Sequence, residues 1–213
     1  MKKISILIGI ILVFQFFVVS PLIGEVKNKT FSKQEIEGMK KLSAVIHTKF
    51  GDITLKFFPE MAPNHVNNFI ELAKSKFYDG TTFHRVIPRF MIQGGDPNSR
   101  NENKRLHGTG GPGYQLKAEF NSIPHHRGRL SMARSSHPDS AGSQFFICLV
   151  DTPHLDGSYT VFGEVTKGMD VADKIVSQPR DRRDNPLDRI EIKVEIIAPA
   201  EKNKSDNKPK TSK

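Results

Sequence analysis

Apolar residues recur with a period of two through most of the chain, in short runs cut by glycine and proline, and this constrains the fold most. Ile53, Leu55 and Phe57 alternate with Thr54, Lys56 and Phe58, so one face of that segment is buried in a sheet. Residues 44–48 precede it, with Phe50-Gly51 between, a hairpin spacing. Further strands are expected at 82–87, 90–94, 130–133, 144–150, 161–165 and 189–197. The helical period occurs twice. Pro63 opens the first helix, since proline is tolerated in a first turn; Val66, Phe69, Ile70 and Ala73 recur along it, and Gly80 closes the segment. The second spans 169–177, with Val171, Ile175 and Val176 inward. Many strands with one early and one late helix predict a mainly β domain: a closed antiparallel barrel with a helix over each open end.

The 213 residues carry a formal charge of +9. Lys2 and Lys3 supply two of these units and residues 201–213 a net three, leaving four for the rest. No basic stripe interleaved with aromatics appears, so nucleic acid is not an expected partner. Cys148 is the only cysteine; inside an apolar run it reads as a buried core thiol and cannot form an internal disulfide. The eight histidines lack metal-ligand spacing, so no metal site is expected.

The ends differ from the middle. Residues 1–24 begin with two lysines and continue with an apolar stretch, the pattern of an export signal. Ser20-Pro21 is a poor cleavage site. Cutting after Gly24 and retention of residues 4–24 as a membrane tether both stay open. Either implies a periplasmic protein or one anchored on the outer side of the cytoplasmic membrane. Residues 25–42 read as a polar spacer with room for one helical turn, 43–199 as the folded domain, and 200–213 as a disordered Lys-rich tail.

Three segments carry the chemistry. The first runs Phe83-His84-Arg85-Val86-Ile87-Pro88-Arg89-Phe90-Met91-Ile92-Gln93-Gly94-Gly95-Asp96. The second joins Leu130-Ser131-Met132-Ala133-Arg134 to Ala141-Gly142-Ser143-Gln144-Phe145-Phe146-Ile147. The third is Leu155-Asp156-Gly157-Ser158-Tyr159, and Gly108-Thr109-Gly110-Gly111 lies between the first two. Over residues 44–198 the chain resembles the cyclophilin family of peptidyl-prolyl isomerases. The resemblance implies an eight-stranded barrel capped by two helices, and turnover of X-Pro bonds without cofactor or metal. It implies a catalytic set of Arg85, Gln93 and Phe90. Substrate-binding positions would be Met91, Gly108, Ala133, Arg134, Gln144, Phe146, Leu155 and Tyr159.

The residues agree with that chemistry. Rotation about a peptide bond crosses a barrier of about 18–20 kcal/mol. No bond is made or broken, so no nucleophile is needed. In the twisted state amide resonance is lost and the proline nitrogen regains its lone pair. A cationic donor aimed there stabilises the twisted state above either planar one. Arg85 is the candidate, with a permanent charge and five N–H donors; strand alternation places it with Phe83 and Ile87. An ordinary arginine there would snorkel over the barrel rim. Alternation also sets Gln144 with Phe146, and Met91 with Gln93. Two glutamines thus lie beside two apolar groups on one face, suited to hold a peptide and a pyrrolidine ring.

The chain departs from the family in places. His154 stands where many members have a tryptophan that helps bind cyclosporin, so weakened inhibition is expected. Tyr159 replaces a common histidine, and Arg134 a common asparagine, adding positive charge near the groove. Residues 98–107 look like a basic insertion, read as a solvated surface excursion. Expected partners are proline-containing polypeptides, and the expected state is a monomer. The alternatives are a non-catalytic prolyl-peptide-binding module and an envelope interaction protein using the basic tail.

Overall fold

The computed structural model describes residues 25–199; the stretch expected to be an export signal and the Lys-rich tail lie outside them. In chain order the elements are β1 (Val26–Lys27), α1 (Lys33–Lys40), β2 (Ser43–Thr48), β3 (Gly51–Phe57), α2 (Pro63–Lys74), β4 (Thr81–Thr82) and β5 (Arg85–Ile87). There follow β6 (Met91–Gly94), β7 (Gln115–Leu116), β8 (Arg129–Met132), β9 (Phe145–Cys148), β10 (Val161–Lys167), α3 (Met169–Val176) and β11 (Glu191–Ile197). Four 3-10 turns punctuate the long connections. Among the described residues no helix is long and apolar enough to cross a membrane.

Nine strands form one curled antiparallel sheet in the order β4-β11-β2-β3-β10-β8-β9-β6-β5. The expected closed eight-stranded barrel is therefore corrected to an open ladder of nine. Its two edges, β4 and β5, are successive pieces of the chain, split by Phe83 and His84. The amide of Phe83 donates to Ile190 at 3.0 Å on one side and that of His84 to Gln93 at 3.1 Å on the other. The single strand expected at 82–87 is thus two strands, broken where the chain crosses from one edge to the other. Both edges are covered: Thr82 N donates to Ser99 Oγ at 2.8 Å, and Val86 N to Asp184 O at 2.8 Å.

The β2–β3 hairpin forms as its alternation predicts, with Ile46 opposite Ile53 and Ala44 opposite Leu55, all buried. Phe69 on α2 stands at the centre of the core. Its ring centroid lies 5.0–5.7 Å from those of Phe57, Tyr78, Phe145 and Phe162. Along β9 the period of two divides the molecule. Phe145 and Ile147 enter this core, whereas Phe146 and Cys148 join Met91 and Leu155 in a smaller cluster on the outer face.

Among the described residues three α-helices are present rather than two. The additional one, α1, lies in the segment expected as a spacer. Ser32 and Glu35 close a reciprocal capping box at its start, and Met39 enters the core with Phe31, Ile36 and Leu42 packed against it. The preceding β1 pairs in parallel with β7, so residues 25–42 are docked on the domain. The 98–107 insertion is docked too. Arg100 donates to the carbonyls of Asp79 and Phe77, and Lys104 Nζ to those of Pro186 at 2.6 Å and Leu187 at 2.9 Å.

Helix α2 starts with Pro63 and has no local capping side chain. Glu119, 55 residues beyond Asn64, does that work. Its carboxylate accepts from Asn64 N at 3.1 Å, Asn64 Nδ2 at 2.9 Å, His65 N at 3.0 Å and His65 Nδ1 at 2.7 Å. A carboxylate at a helix N-terminus also meets the positive end of the helix dipole. Burial pushes the Glu119 pKa up, but the bonds from His65 and Asn64 outweigh it and hold the group below its ordinary 4.5. A depressed carboxylate pKa contributes stability above the unfolded-state value and loses it as pH falls through the folded one. Glu119→Gln should therefore lower stability at pH 7 by about 2 kcal/mol, or roughly 4–8 °C in melting temperature. The gap should close below the ordinary carboxylate range. Thermal melts of both proteins at pH 7 and pH 3 check this; an equal gap at both pH values would refute it.

Candidate active site

The outer-face cluster floors a pocket of about 160 Å³ lined by Arg85, Phe90, Met91, Gln93, Ala133, Arg134, Phe146, Leu155 and Tyr159. The other two expected positions, Gly108 and Gln144, line an adjoining groove of about 360 Å³, which shares Gln93, Ala133 and Arg134 with the pocket. All eleven expected residues thus meet at one place, drawn from the chain between Arg85 and Tyr159. Strand register does the gathering: Arg85 faces Gln93, Gln93 faces Phe146, and Met91 faces Cys148.

The apolar wall is held from behind and from the side. Phe146 meets Tyr159 edge to face at 5.8 Å, a favoured aromatic arrangement. On its other side Phe146 stacks on His125, 6.2 Å between centroids and 10° between planes. His125 is locked by Asp156 Oδ1 at 2.8 Å and Ser131 Oγ at 3.0 Å. Sequence reasoning missed this support; its trace is the Asp156 of Leu-Asp-Gly, whose carboxylate also receives the His125 amide at 2.8 Å. Phe90 sits in the turn from β5 to β6, its ring 5.9 Å from that of His154. Cys148 lies under the pocket floor, fully buried. Desolvation pushes its thiol pKa up to about 11, so it packs as an inert thiol.

The polar side is a relay of amides. Arg85 Nη1 donates to Gln93 Oε1 at 3.4 Å, and Gln93 Nε2 to Gln144 Oε1 at 2.9 Å. Gln144 Nε2 then donates to the carbonyls of Gly108 at 3.1 Å and Gly110 at 2.8 Å. Arg85 is exposed and makes only this one long bond among the described residues, so most of its donors face the pocket mouth unspent. Alternation does not set it beside Phe83 as expected. Phe83 precedes β5 and points into the core, whereas Ile87 packs on the outer cluster.

The glycine loop is fixed from below by buried Asp96, which accepts from the amides of Gly108, Gly110 and Asn98. Gly108 has φ +85° with nothing closer than His84 Nε2, 3.7 Å from where a Cβ would lie. Its need for glycine is the left-handed backbone rather than lack of space. Arg134 is less free than its charge suggests. Nε and Nη2 donate to Ser158 O, and Nη1 to Ser135 O and Ser136 O. Its guanidinium lies 4.6 Å from the Tyr159 ring centroid, so it braces the pocket wall. Among the described residues no group of three histidine, cysteine or acidic side chains is placed to hold a metal.

Comparison with known proteins agrees with this geometry. Residues 43–196 match the family model described as cyclophilin type peptidyl-prolyl cis-trans isomerase/CLD. A peptidyl-prolyl cis-trans isomerase of Helicobacter pylori is 48% identical over 151 residues, covering 69% of this chain and 88% of the relative. One of Synechococcus elongatus is 51% identical over 121 residues, covering 57% and 78%. Among solved structures, a Cryptosporidium parvum cyclophilin type isomerase, crystallised in the presence of the dipeptide Ala-Pro, superposes with a TM-score of 0.67. It is 34% identical, with 74% of this chain and 99% of that one covered. The chain belongs to the cyclophilin-type peptidyl-prolyl cis-trans isomerases and is an enzyme of that class.

Proposed function

We infer that the pocket holds the pyrrolidine ring of an X-Pro segment while Arg85 stabilises the twisted amide. The observation that carries this is the largely unspent guanidinium of Arg85 at the mouth of a pocket walled by Phe90, Met91, Phe146 and Leu155. Rings and a thioether offer area without competing polarity, and the cation next to them meets the nitrogen lone pair only when resonance is lost. Gln93 fixes the carbonyl side of the substrate, and Gln144, Ala133 and Gly108 border the groove for the flanking backbone. The Ala-Pro dipeptide used with the Cryptosporidium relative is of the same ligand class. Turnover of an X-Pro peptide by the full chain, set beside Arg85→Ala, tests the reading. A folded wild type that binds such peptides without turnover would instead be a binding module.

The cellular role we infer is assistance to the folding of exported proteins, whose X-Pro bonds isomerise slowly. The charged and apolar pattern of residues 1–24 supports it. Fractionation should place the chain in the periplasm or on the outer side of the cytoplasmic membrane; recovery in the cytoplasm would sink this role.

His154, against Phe90 at the pocket edge, replaces a larger indole and should weaken cyclosporin inhibition. His154→Trp should lower the inhibitor concentration for half inhibition by about tenfold, the scale of one buried aromatic contact. An unchanged value would refute the assignment.

A further inference from the structure

A third depression, of about 260 Å³, shares Arg85 and Gln93 with the proline pocket and Gly108 with the groove. The rest of its wall is His84, Lys104, His107, Arg183 and Asn185. Three cations line it and no acidic residue does. The acids nearby are engaged elsewhere. Asp96 accepts from three loop amides, Asp181 from the amides of Arg183 and Asn185, and Asp184 is paired with Arg180 at 3.1 Å.

The wall is built rather than incidental. Lys104 is held over the carbonyls of Pro186 and Leu187, fastening the 98–107 insertion to the loop that carries Arg183. Asn185 Nδ2 donates to His107 Nδ1 at 2.8 Å, and His107 Nε2 lies 2.7 Å from Asn101 O, a second tie between the same two segments. Arg183 is exposed and its guanidinium makes no hydrogen bond or ion pair among the described residues. His84 is 4% exposed and both its ring nitrogens are shut off from solvent, so it walls the depression without offering it a donor.

We propose that this depression is a subsite for an acidic side chain of the substrate polypeptide, an aspartate or glutamate close to the isomerised proline. Arg183 supplies the unspent charge, and Lys104, held on two carbonyls, adds to the positive potential of the wall. The occupant belongs to the same peptide because the depression opens beside Arg85 and Gln93, and its size suits one side chain. This rests on the reading of the Arg85 pocket as the isomerase site. Lys104 and Arg183 act in positioning; the step at the proline nitrogen is left to Arg85.

The test uses the full chain and X-Pro peptides with one Glu scanned over the two positions on each side of the proline, each against its Gln isostere. At one position Glu should exceed Gln in kcat/KM by roughly five- to tenfold at low salt, the scale of a charge-assisted hydrogen bond in a half-open site. About 0.5 M salt should narrow that ratio. Arg183→Gln should remove most of the preference and leave turnover of the Gln peptide unchanged, and Arg183→Glu should reverse it. Equal rates for Glu and Gln at all four positions, or a preference that survives in both variants, would overturn the proposal. Affinities for the same pairs separate the two readings. A Glu preference in binding with no turnover upholds the subsite and removes the isomerase assignment of the pocket.

Discussion

Arg85→Ala should slow X-Pro turnover ten- to hundredfold while leaving the protein folded. The size follows from removing one charge-assisted hydrogen bond of about 1.5–3 kcal/mol that forms only in the twisted state, at about 1.4 kcal/mol per decade of rate. Folding is spared because Arg85 is exposed and its one bond, to Gln93, is 3.4 Å long. The loss should fall on kcat, since the planar substrate does not yet offer the nitrogen lone pair. Arg85→Lys should lie between, keeping a charge but not the planar fork. Protease-coupled turnover with circular dichroism of each variant decides it; an alanine variant within twofold of wild type would remove Arg85 from the mechanism.

Phe69→Ala should give the opposite pattern, a large loss of stability with catalysis per folded molecule intact. Phe69 is fully buried and meets four aromatic rings within 5.7 Å. Truncating such a residue typically costs about 3–5 kcal/mol, or roughly 6–20 °C in melting temperature for a domain of this size. Total stabilities of about 5–15 kcal/mol are usual, so the variant would stand near its unfolding limit. Phe146→Ala is the control. Phe146 is buried too but walls the pocket, so its loss should raise KM, which Phe69→Ala should leave unchanged. An unchanged KM for Phe146→Ala would remove Phe146 from the substrate pocket.

The contrast between Phe145 and Phe146 was legible in the sequence, because a period of two assigns neighbours to opposite faces whatever the partner strand. The same holds for Met91 with Gln93, and for Pro63 opening α2. Phe83 defeated the rule because it lies with His84 in the break between β4 and β5, where the chain leaves one sheet edge for the other. Helix α1 did leave a trace: Ser32 with Glu35 three residues on is a capping box, overlooked because the segment is otherwise polar. The docking of the insertion through Arg100 and Lys104 left none, since their partners are backbone carbonyls that every residue possesses. The bracing of Arg134 against Ser158, Ser135 and Ser136 was hidden for the same reason, and a charge read as available for substrates is spent on the scaffold.

The two ends of the sheet bear on how such an enzyme survives among its substrates. A long unpaired strand edge is a template on which other chains can align and aggregate, and unfolded polypeptides waiting on proline isomerisation are the chains most ready to do so. Here the edges are two and three residues long, and the outward amides of Thr82 and Val86 are already taken by Ser99 and Asp184. A nascent strand therefore finds no row of free donors on the sheet to extend. The enzyme can offer its groove to proline-containing peptides without offering its own sheet as a seed for their association.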